Sequence, residues 1–404
     1  MVKWKIIKGG ITAPEGFEAN GISCGIKKGG KLDLALIYSQ IPALTAGLFT
    51  ASRFPANHII LDRKRINKYK EAQAIIINSG NANCAVGKKG LEDAQRITAK
   101  LAEELNIKSQ FVLIASTGII GKRLPRKKIE RAIPLLVANR GKDKAELASQ
   151  AIMTTDKKPK EIAVELNISK KKIKIGAMAK GSGMIAPHLA TMLCFITTDL
   201  NIKLSLLKRA LREAVGVSFN RISVDGEMST NDTLIIMANG LAGNKRIENQ
   251  RSKEFFIFQE ALKFVCQHLS REIVYDGEGA TKFITLRIKG AENKYGAERI
   301  ARRIASSPLF KSAIYGENPN WGRVIASCGA SGVNFNPEKL AIRFAEKFVF
   351  KNGKPMENAS RQLKKILENR DVEIEIDLNL GKEEYFLWTT DLSEEYIRIN
   401  AGYE

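Results

Sequence analysis

The sequence contains few histidines, cysteines and aromatic residues. Its 404 residues include three histidines and five cysteines, and no two cysteines form a CxxC pair. An odd cysteine count without that spacing argues against both a disulfide framework and a structural zinc site. We therefore expect no metal site, and we expect the cysteines to behave as small buried hydrophobic side chains.

Long apolar stretches are also missing. No segment approaches the ~20 consecutive apolar residues that a membrane-spanning helix needs. Residues 1–10 include lysines but lack the apolar core and small-residue cleavage site of a secretory signal. The sequence therefore predicts a cytoplasmic protein without a membrane partner.

Basic residues are the one class in clear excess. Lysine and arginine number 65 against 43 acidic residues, which gives a formal charge of +22. Such an excess is common in proteins that bind nucleic acids. Here, however, the basic residues are scattered, and only 7% of the residues are aromatic, so bases would find few rings to stack on. We expect a lysine-rich solvated surface and no nucleic-acid partner.

Strand and helix patterns alternate along the chain. Residues 73–78 (QAIIIN) and 110–115 (QFVLIA) are short β-branched runs that predict buried strands. Between them, apolar residues recur at helical spacing over residues 91–105. Farther on, apolar and polar residues alternate over 284–288 and 372–378, which predicts strands with one buried face. The pattern as a whole predicts a mixed α/β or α+β protein.

Short islands of glycine and small polar residues lie between these patterns. They are residues 78–83 (NSGNAN), 116–118 (STG), 154–156 (TTD), 180–187 (KGSGMIAP), 276–279 (DGEG) and 318–323 (NPNWGR). Polar loops at strand ends often form functional sites, because a rigid sheet positions them. Each island taken alone is equally well explained as a turn.

One island leads directly into a strand pattern that begins at a threonine. Residues 191–199 read TMLCFITTD, and Pro187 prevents a continuous helix across the junction. If the Ala190–Thr191 bond were cleaved, Thr191 would gain a free α-amine able to deprotonate its own hydroxyl, and neither histidine nor metal would be required. The alternative is that Thr191 simply opens a buried strand, and local chemistry alone favours that alternative.

Taken together and in this order, the islands resemble the ornithine acetyltransferase family, the glutamate N-acetyltransferases of the cyclic arginine pathway. The central motif of that family, KGxGMIxPxxATML, is matched by residues 180–193. Further matches are GITAPEGF (10–17), NSGNAN (78–83), STGIIG (116–121), MTTD (153–156), DGEGATKF (276–283), NPNWGR (318–323) and RINAGY (398–403). The matches therefore run along nearly the whole chain.

The resemblance implies self-cleavage between Ala190 and Thr191. It would give an α fragment of residues 1–190 and a β fragment of residues 191–404, which together form one catalytic unit. Thr191 would be the nucleophile: it would take the acetyl group of N2-acetylornithine as an ester and pass it to glutamate in a ping-pong reaction. Relatives assemble as α2β2 heterotetramers. Their fold is an α/β arrangement of sheets sandwiched by helices, of the N-terminal-nucleophile type and unlike a Rossmann fold.

The resemblance also assigns roles to other residues. Thr117 and Gly118 would form the oxyanion hole, through a hydroxyl and a backbone N–H. Substrate contacts would come from Thr155 or its neighbour Thr154, and from Lys180, Thr191, Glu278 and Asn400. Lys180 suits an α-carboxylate, and Glu278, in an exposed-looking loop flanked by glycines, suits an ammonium group. The alternatives are a strand-ending turn at residues 116–118 and plain surface charge for Lys180 and Glu278.

Two other functions stay open from the sequence. A self-processing aminopeptidase or amidase of similar fold would pass the acyl group to water, although such relatives typically use serine at the cleavage point. An uncleaved basic binding protein would instead bind nucleic acid in a salt-sensitive manner. We expect no cofactor. Acetyl-CoA would be a second acetyl donor only in a bifunctional enzyme, a point on which the sequence is silent.

Overall fold

The computed structural model describes residues 4–186 and 192–402, so the predicted cleavage point at Ala190 and Thr191 lies outside the described residues. The described chain forms two compact units. The first comprises residues 4–181, 192–220 and 228–273, and the second comprises residues 182–186, 221–227 and 274–402. The predicted α and β fragments are defined by cleavage of the chain and not by these compact units, and they stay a prediction.

The described residues contain sixteen strands. They are β1 (Trp4–Ile7), β2 (Phe17–Ile22), β3 (Leu34–Phe49), β4 (Glu71–Asn81), β5 (Val112–Ile119), β6 (Lys160–Ile168), β7 (Lys171–Lys180), β8 (Leu193–Thr198), β9 (Ile222–Ser223), β10 (Thr233–Ala238), β11 (Phe283–Ala291), β12 (Ala341–Phe344), β13 (Lys347–Lys351), β14 (Lys354–Pro355), β15 (Asp371–Asp377) and β16 (Glu383–Thr390).

Eleven α-helices accompany them in the described part of the chain. They are α1 (Asn57–Tyr69), α2 (Lys88–Leu105), α3 (Arg126–Ala138), α4 (Ala145–Ala151), α5 (Leu204–Gly216), α6 (Lys253–Tyr275), α7 (Lys294–Ala305), α8 (Pro308–Tyr315), α9 (Gly322–Gly329), α10 (Ala359–Leu367) and α11 (Glu394–Ala401). Four single-turn 3₁₀ helices lie at Gly10–Thr12, Ser109–Phe111, Phe219–Arg221 and Pro337–Lys339.

The first unit is built on a nine-stranded mixed sheet. Its order is β1-β6-β7-β8-β10-β3-β4-β5, with β2 also paired to β3. The β8–β10 and β4–β5 pairs are parallel, and the other pairs are antiparallel. The strands predicted at residues 73–78 and 110–115 are therefore confirmed, as β4 and β5, and they lie side by side.

Helices cover both faces of this first sheet. Leu36 and Ile76 belong to a core that they share with α2 and α3, whereas the alternate residues Ile37 and Ile77 belong to a second core that includes α4. Successive side chains of a strand point to opposite faces, so a run without polar residues is buried on both sides. This arrangement confirms the predicted sheet sandwiched by helices and the predicted helix over residues 91–105.

The second unit is built on a seven-stranded mixed sheet with the order β14-β13-β12-β15-β11-β16-β9. Ile284, Leu286 and Ile288 of β11 enter a core that includes the apolar face of α7. On the other face, Arg287 pairs with Glu373 at 2.6 Å. The predicted alternation is thus confirmed, and with it the mixed α/β class.

Three further features of the described residues bear on function. All five cysteines are free thiols, and four of them are buried. No helix among the described elements is long and apolar enough to cross a membrane. Within residues 4–186 and 192–402, no group of three or more His, Cys, Asp and Glu side chains is placed to hold a metal ion.

Candidate functional site

The predicted oxyanion pair, Thr117 and Gly118, lies inside strand β5. In the parallel ladder with β4, Ser79 is the partner of Thr117 and Gly80 is the partner of Gly118. The interpretation of residues 116–118 as a strand-ending turn is therefore wrong. The polar island continues the strand because the neighbouring island on β4 supplies a matching backbone edge.

Gly118 occupies a position that excludes a side chain. Its φ is +128°, a region that favours glycine. A Cβ added there would overlap the backbone of Gly80 and lie 2.5 Å from the Asn81 nitrogen. The two strands approach closely only because residue 118 is glycine, and this fixes the path of the Thr117–Gly118 peptide.

Buried hydrogen bonds hold the strand just before this peptide. The Ser116 hydroxyl donates to the Asn78 side-chain oxygen at 2.7 Å. The Asn231 amide donates to the Ser116 carbonyl at 2.8 Å and to the Ala82 carbonyl at 2.5 Å. Asn231 lies in the polar run STNDT, residues 229–233, for which no role was predicted. The run is visible in the sequence, but only the fold shows that its asparagine supports Ser116.

Lys180 ends β7 in a buried cluster of charges. Its ammonium donates to the Thr154 hydroxyl at 2.7 Å and lies 3.9 Å from the Asp156 carboxylate. Lys160 pairs with the same carboxylate at 2.7 Å. The side chains of Lys160 and Asp156 are fully buried, and that of Lys180 is 10% exposed. The alternative of surface charge is therefore wrong for Lys180. Thr154 contacts Lys180, and Thr155 beside it is half-buried.

Asp156 organises this cluster. It also accepts the backbone N–H of Gly181 at 2.7 Å and that of Thr154 at 3.0 Å. Burial alone would raise the pKa of the Asp156 carboxyl, but the ammonium groups of Lys180 and Lys160 outweigh burial and hold that pKa well below its usual range. Two cations therefore contact one anion, and Lys180 is the one of the two whose side chain is partly exposed.

Glu278 and Asn400 are brought together in the second unit. The Asn400 amide donates to the Glu278 carboxylate at 2.9 Å, and the Glu278 N–H donates to the Ser182 carbonyl at 2.9 Å. Glu278 is only 8% exposed, so both the exposed loop and the surface-charge alternative are wrong. Glu278 is buried because the next residue, Gly279, has φ +64° and no side chain, which lets the loop pack against the start of α11. The Ser393 hydroxyl donates to the Gly279 carbonyl at 2.6 Å.

A second glycine, Gly183, makes room for the Glu278 carboxylate. A Cβ at Gly183 would overlap this carboxylate, with Oε1 at 2.6 Å. The Gly183→Ala variant is therefore expected to displace Glu278 and to lower the free energy of unfolding by about 1–3 kcal/mol, the typical cost of overpacking, measured by urea denaturation. Gly329→Ala is the matched control, because a Cβ there meets nothing within 4 Å. An unchanged stability of Gly183→Ala would show that the position of Glu278 does not depend on the glycine.

The segment that precedes the predicted cleavage point is held by Asp225. Its carboxylate accepts the N–H groups of Met184 at 2.6 Å and Ile185 at 2.9 Å. Beside it, the buried Lys311 ammonium donates to the Val224 carbonyl at 2.8 Å. Burial lowers the pKa of Lys311 to about 8, and the carboxylates of Asp391 and Asp225 oppose that effect. Neither support was predicted, since both depend on contacts between residues distant in sequence.

The family of the chain follows from comparison with known proteins. The sequence model of the ArgJ family matches residues 18–404. The chain belongs to the ArgJ family. This assignment confirms the family predicted from the ordered motifs, and with it an acyltransferase of arginine biosynthesis.

Individual relatives match this chain over nearly their full length. The chain is 43% identical over 399 residues to the arginine biosynthesis bifunctional protein ArgJ of Oceanobacillus iheyensis, covering 98% of this chain and 97% of that one. It is 42% identical over 411 residues to the glutamate N-acetyltransferase of Methanocaldococcus jannaschii, covering 99% of both chains. A solved chain of Mycobacterium tuberculosis ornithine acetyltransferase, complexed with ornithine, is 34% identical, covers 46% of this chain and 100% of that one, and has a TM-score of 0.44. The family assignment rests on the sequence matches.

Proposed function

We propose that this ArgJ-family chain transfers the acetyl group of N2-acetylornithine to L-glutamate through an acetyl ester on Thr191. The observation that carries the proposal is the buried Lys180–Asp156–Lys160 cluster at the start of the family's central motif. Lys180, the member of this cluster that is 10% exposed, is a charge-assisted hydrogen-bond donor that suits the α-carboxylate shared by both amino-acid substrates. Thr191 itself lies outside the described residues.

In the proposed first half-reaction, Thr191 acts as nucleophile and its α-amine as the base. The hydroxyl oxygen forms a bond to the acetyl carbon while the α-amine takes the hydroxyl proton. The tetrahedral intermediate then collapses, the acetyl C–N bond breaks, and the same amine returns the proton to the departing nitrogen of ornithine. The amine becomes available only after cleavage of the Ala190–Thr191 bond, which makes self-processing a precondition.

The second half-reaction runs the same steps in reverse with glutamate. The glutamate α-amine attacks the acetyl ester, the C–O bond to Thr191 breaks, and the proton released by the attacking nitrogen returns to the threonine oxygen through the α-amine. Ornithine leaves before glutamate attacks, and both amines react with the acetyl group at Thr191. We therefore expect ping-pong kinetics and no cofactor.

Lys180 and Glu278 are the proposed contacts for the charged ends of the substrates. Lys180, fixed by Thr154, would take the α-carboxylate of either amino acid. Glu278, fixed by Asn400, would take the side-chain ammonium of the ornithine moiety, because a buried carboxylate is stabilised by a cationic partner. Thr155 would complete the contacts next to Lys180.

Thr117 and Gly118 are proposed to stabilise the oxyanion of both tetrahedral intermediates. Removal of one such donor typically lowers kcat by roughly 10²- to 10³-fold. We expect Thr117→Val to show a loss of that size with an unchanged melting temperature, whereas Thr117→Ser, which keeps the hydroxyl, should retain most of the activity. Steady-state turnover with acetylornithine and glutamate measures this. Wild-type turnover in Thr117→Val would assign the oxyanion role elsewhere.

The rival enzyme function is a self-processing amidase that passes the acetyl group to water. An assay of acetylornithine with and without glutamate separates the two. Transfer predicts acetylglutamate in the presence of glutamate and little free acetate without it. Acetate release at a rate independent of glutamate would establish the amidase. Salt-sensitive nucleic-acid binding by an uncleaved chain would instead support the basic binding protein.

The proposal also covers a second acetyl donor, the assembly of the fragments and the location of the protein. Relatives at 43% and 42% identity carry the names bifunctional protein and glutamate N-acetyltransferase, so acetyl-CoA is the second donor to assay. We propose an α2β2 assembly of the cleaved fragments in the cytoplasm. Sedimentation analysis of the purified protein tests the assembly.

A further inference from the structure

A second lysine, Lys27, occupies a fixed position in the first unit. It follows β2, in the loop of residues 23–33. The fully buried Asp33 carboxylate accepts three backbone N–H groups of this loop, those of Cys24 at 2.6 Å, Ile26 at 2.6 Å and Lys27 at 2.9 Å. Three such bonds to one carboxylate hold the loop rigidly, so the placement of Lys27 is a property of the fold.

The stem of Lys27 lies over the strands that carry the predicted oxyanion pair. Gly80, the ladder partner of Gly118, has no side chain, and a Cβ at that position would come within 3.3 Å of Lys27 Cγ. The glycine thereby leaves room for the lysine stem. Lys27 passes close to the strand ends on which an acetyl group is proposed to react.

The ammonium end of Lys27 reaches the other predicted contact point. It donates to the Met153 carbonyl at 2.6 Å and to the Leu32 carbonyl at 2.8 Å. Met153 directly precedes Thr154, whose hydroxyl accepts a hydrogen bond from Lys180. An ammonium has three N–H donors, and these two carbonyls take two of them. The side chain is half-buried, so a ligand can reach it.

Charged groups of both signs act on Lys27. Burial lowers its pKa to about 8, and the ammonium groups of Lys180 and Lys31 act in the same direction, while the carboxylates of Asp33 and Asp156 oppose it. Lys27 is therefore mostly cationic at neutral pH.

We propose that Lys27 binds the side-chain carboxylate of the acceptor glutamate and thereby selects glutamate as the acceptor. The inference rests on the acetyl transfer proposed above. Both substrates share an α-carboxylate, which Lys180 would take, and they differ at the other end. Glutamate ends in a carboxylate, whereas acetylornithine ends in an ammonium group. A second cation beside Lys180 thus favours the acceptor only.

The test compares Lys27→Met with Lys28→Met, a matched control in which an exposed lysine of the same loop is replaced. In a ping-pong reaction, kcat/KM for each substrate reports its own half-reaction alone. Loss of a charge-assisted hydrogen bond predicts a fall of about 10- to 100-fold in kcat/KM for glutamate. The preference for glutamate over glutamine, its neutral isostere, should fall by the same factor. The kcat/KM for acetylornithine should stay within about twofold of the wild-type value, because that half-reaction does not use the contact.

A third variant, Lys27→Arg, separates charge from packing. Arginine stays protonated at every accessible pH. We expect it to keep the preference for glutamate, and to remove a decline of kcat/KM for glutamate that the wild type should show above pH about 8, where Lys27 loses its proton. No such decline is expected for acetylornithine.

Two results would overturn the role of Lys27. One is an equal loss in both half-reactions of Lys27→Met, which would indicate a structural role. The other is an unchanged preference for glutamate over glutamine. Failure of the proposed acetyl transfer itself appears in the wild type: labelled ornithine would not exchange into acetylornithine, and no acetylglutamate would form.

Discussion

The Thr191→Ala variant is expected to remain one uncleaved chain of 404 residues and to lose acetyl transfer. In the proposed mechanism, this substitution removes the hydroxyl that would attack the preceding carbonyl in self-cleavage and the acetyl carbonyl in catalysis. Loss of a nucleophile typically lowers kcat by at least about 10⁴-fold. Denaturing electrophoresis reports cleavage, and an acetylglutamate assay reports transfer.

The control for this prediction is Thr191→Ser. Serine keeps a hydroxyl at the same position, so it should restore part of both the cleavage and the transfer. Normal processing of Thr191→Ala would contradict the mechanism, because another residue would then have to cut the chain. Cleavage without transfer in Thr191→Ser would separate the two roles of the hydroxyl.

The Asp156→Asn variant is expected to cause the largest loss of stability in the candidate site. The side chains of Asp156 and Lys160 are fully buried and 2.7 Å apart, and Lys180 lies 3.9 Å away. Removal of the carboxylate charge takes away the anion that both buried ammonium groups contact. Such broken pairs cost about 3–5 kcal/mol in the free energy of unfolding. Urea denaturation measures this loss, with Asp143→Asn, at an exposed ion pair with Lys144, as the control that should change little.

The same variant has a defined pH dependence. The pKa of Asp156 is lowered in the folded chain by Lys180 and Lys160, in opposition to burial. A carboxyl whose folded pKa is depressed contributes stability above its unfolded pKa, about 3.9, and loses that contribution as the pH falls toward the folded pKa. The stability gap between wild type and Asp156→Asn should be complete at neutral pH and should narrow below about pH 4. A gap that widens in acid would contradict the charge assignment.

Regular periodicity made the sheet strands predictable. The β-branched run at residues 73–78 and the alternation over residues 284–288 each correspond to observed strands, β4 and β11. The same signal also gave the helix α2. It did not give the pairing of β4 with β5 beyond residue 116, because the polar residues there show no strand period and continue the ladder only through their partners.

The supports of the site could not be predicted, for physical reasons. Lys160 belongs to none of the motifs, and a lysine is normally expected at the surface. Only the fold shows that Lys160 lies beside Asp156. The glycines that flank Glu278 predict an exposed loop, yet the missing side chains of Gly183 and Gly279 are what allow Glu278 to be buried. The Lys27 ammonium contacts the carbonyl of Met153, a residue more than 100 positions away in the sequence. Local sequence carries no signal of such contacts.

The most direct test of the account is the intact mass of the purified wild-type protein, combined with N-terminal sequencing. We predict two fragments, residues 1–190 and residues 191–404, with the second beginning Thr-Met-Leu-Cys. That result would establish Thr191 as the new N-terminus and would leave the donor and acceptor to be assayed. A single uncleaved chain that transfers acetyl groups would contradict the amine-assisted threonine mechanism.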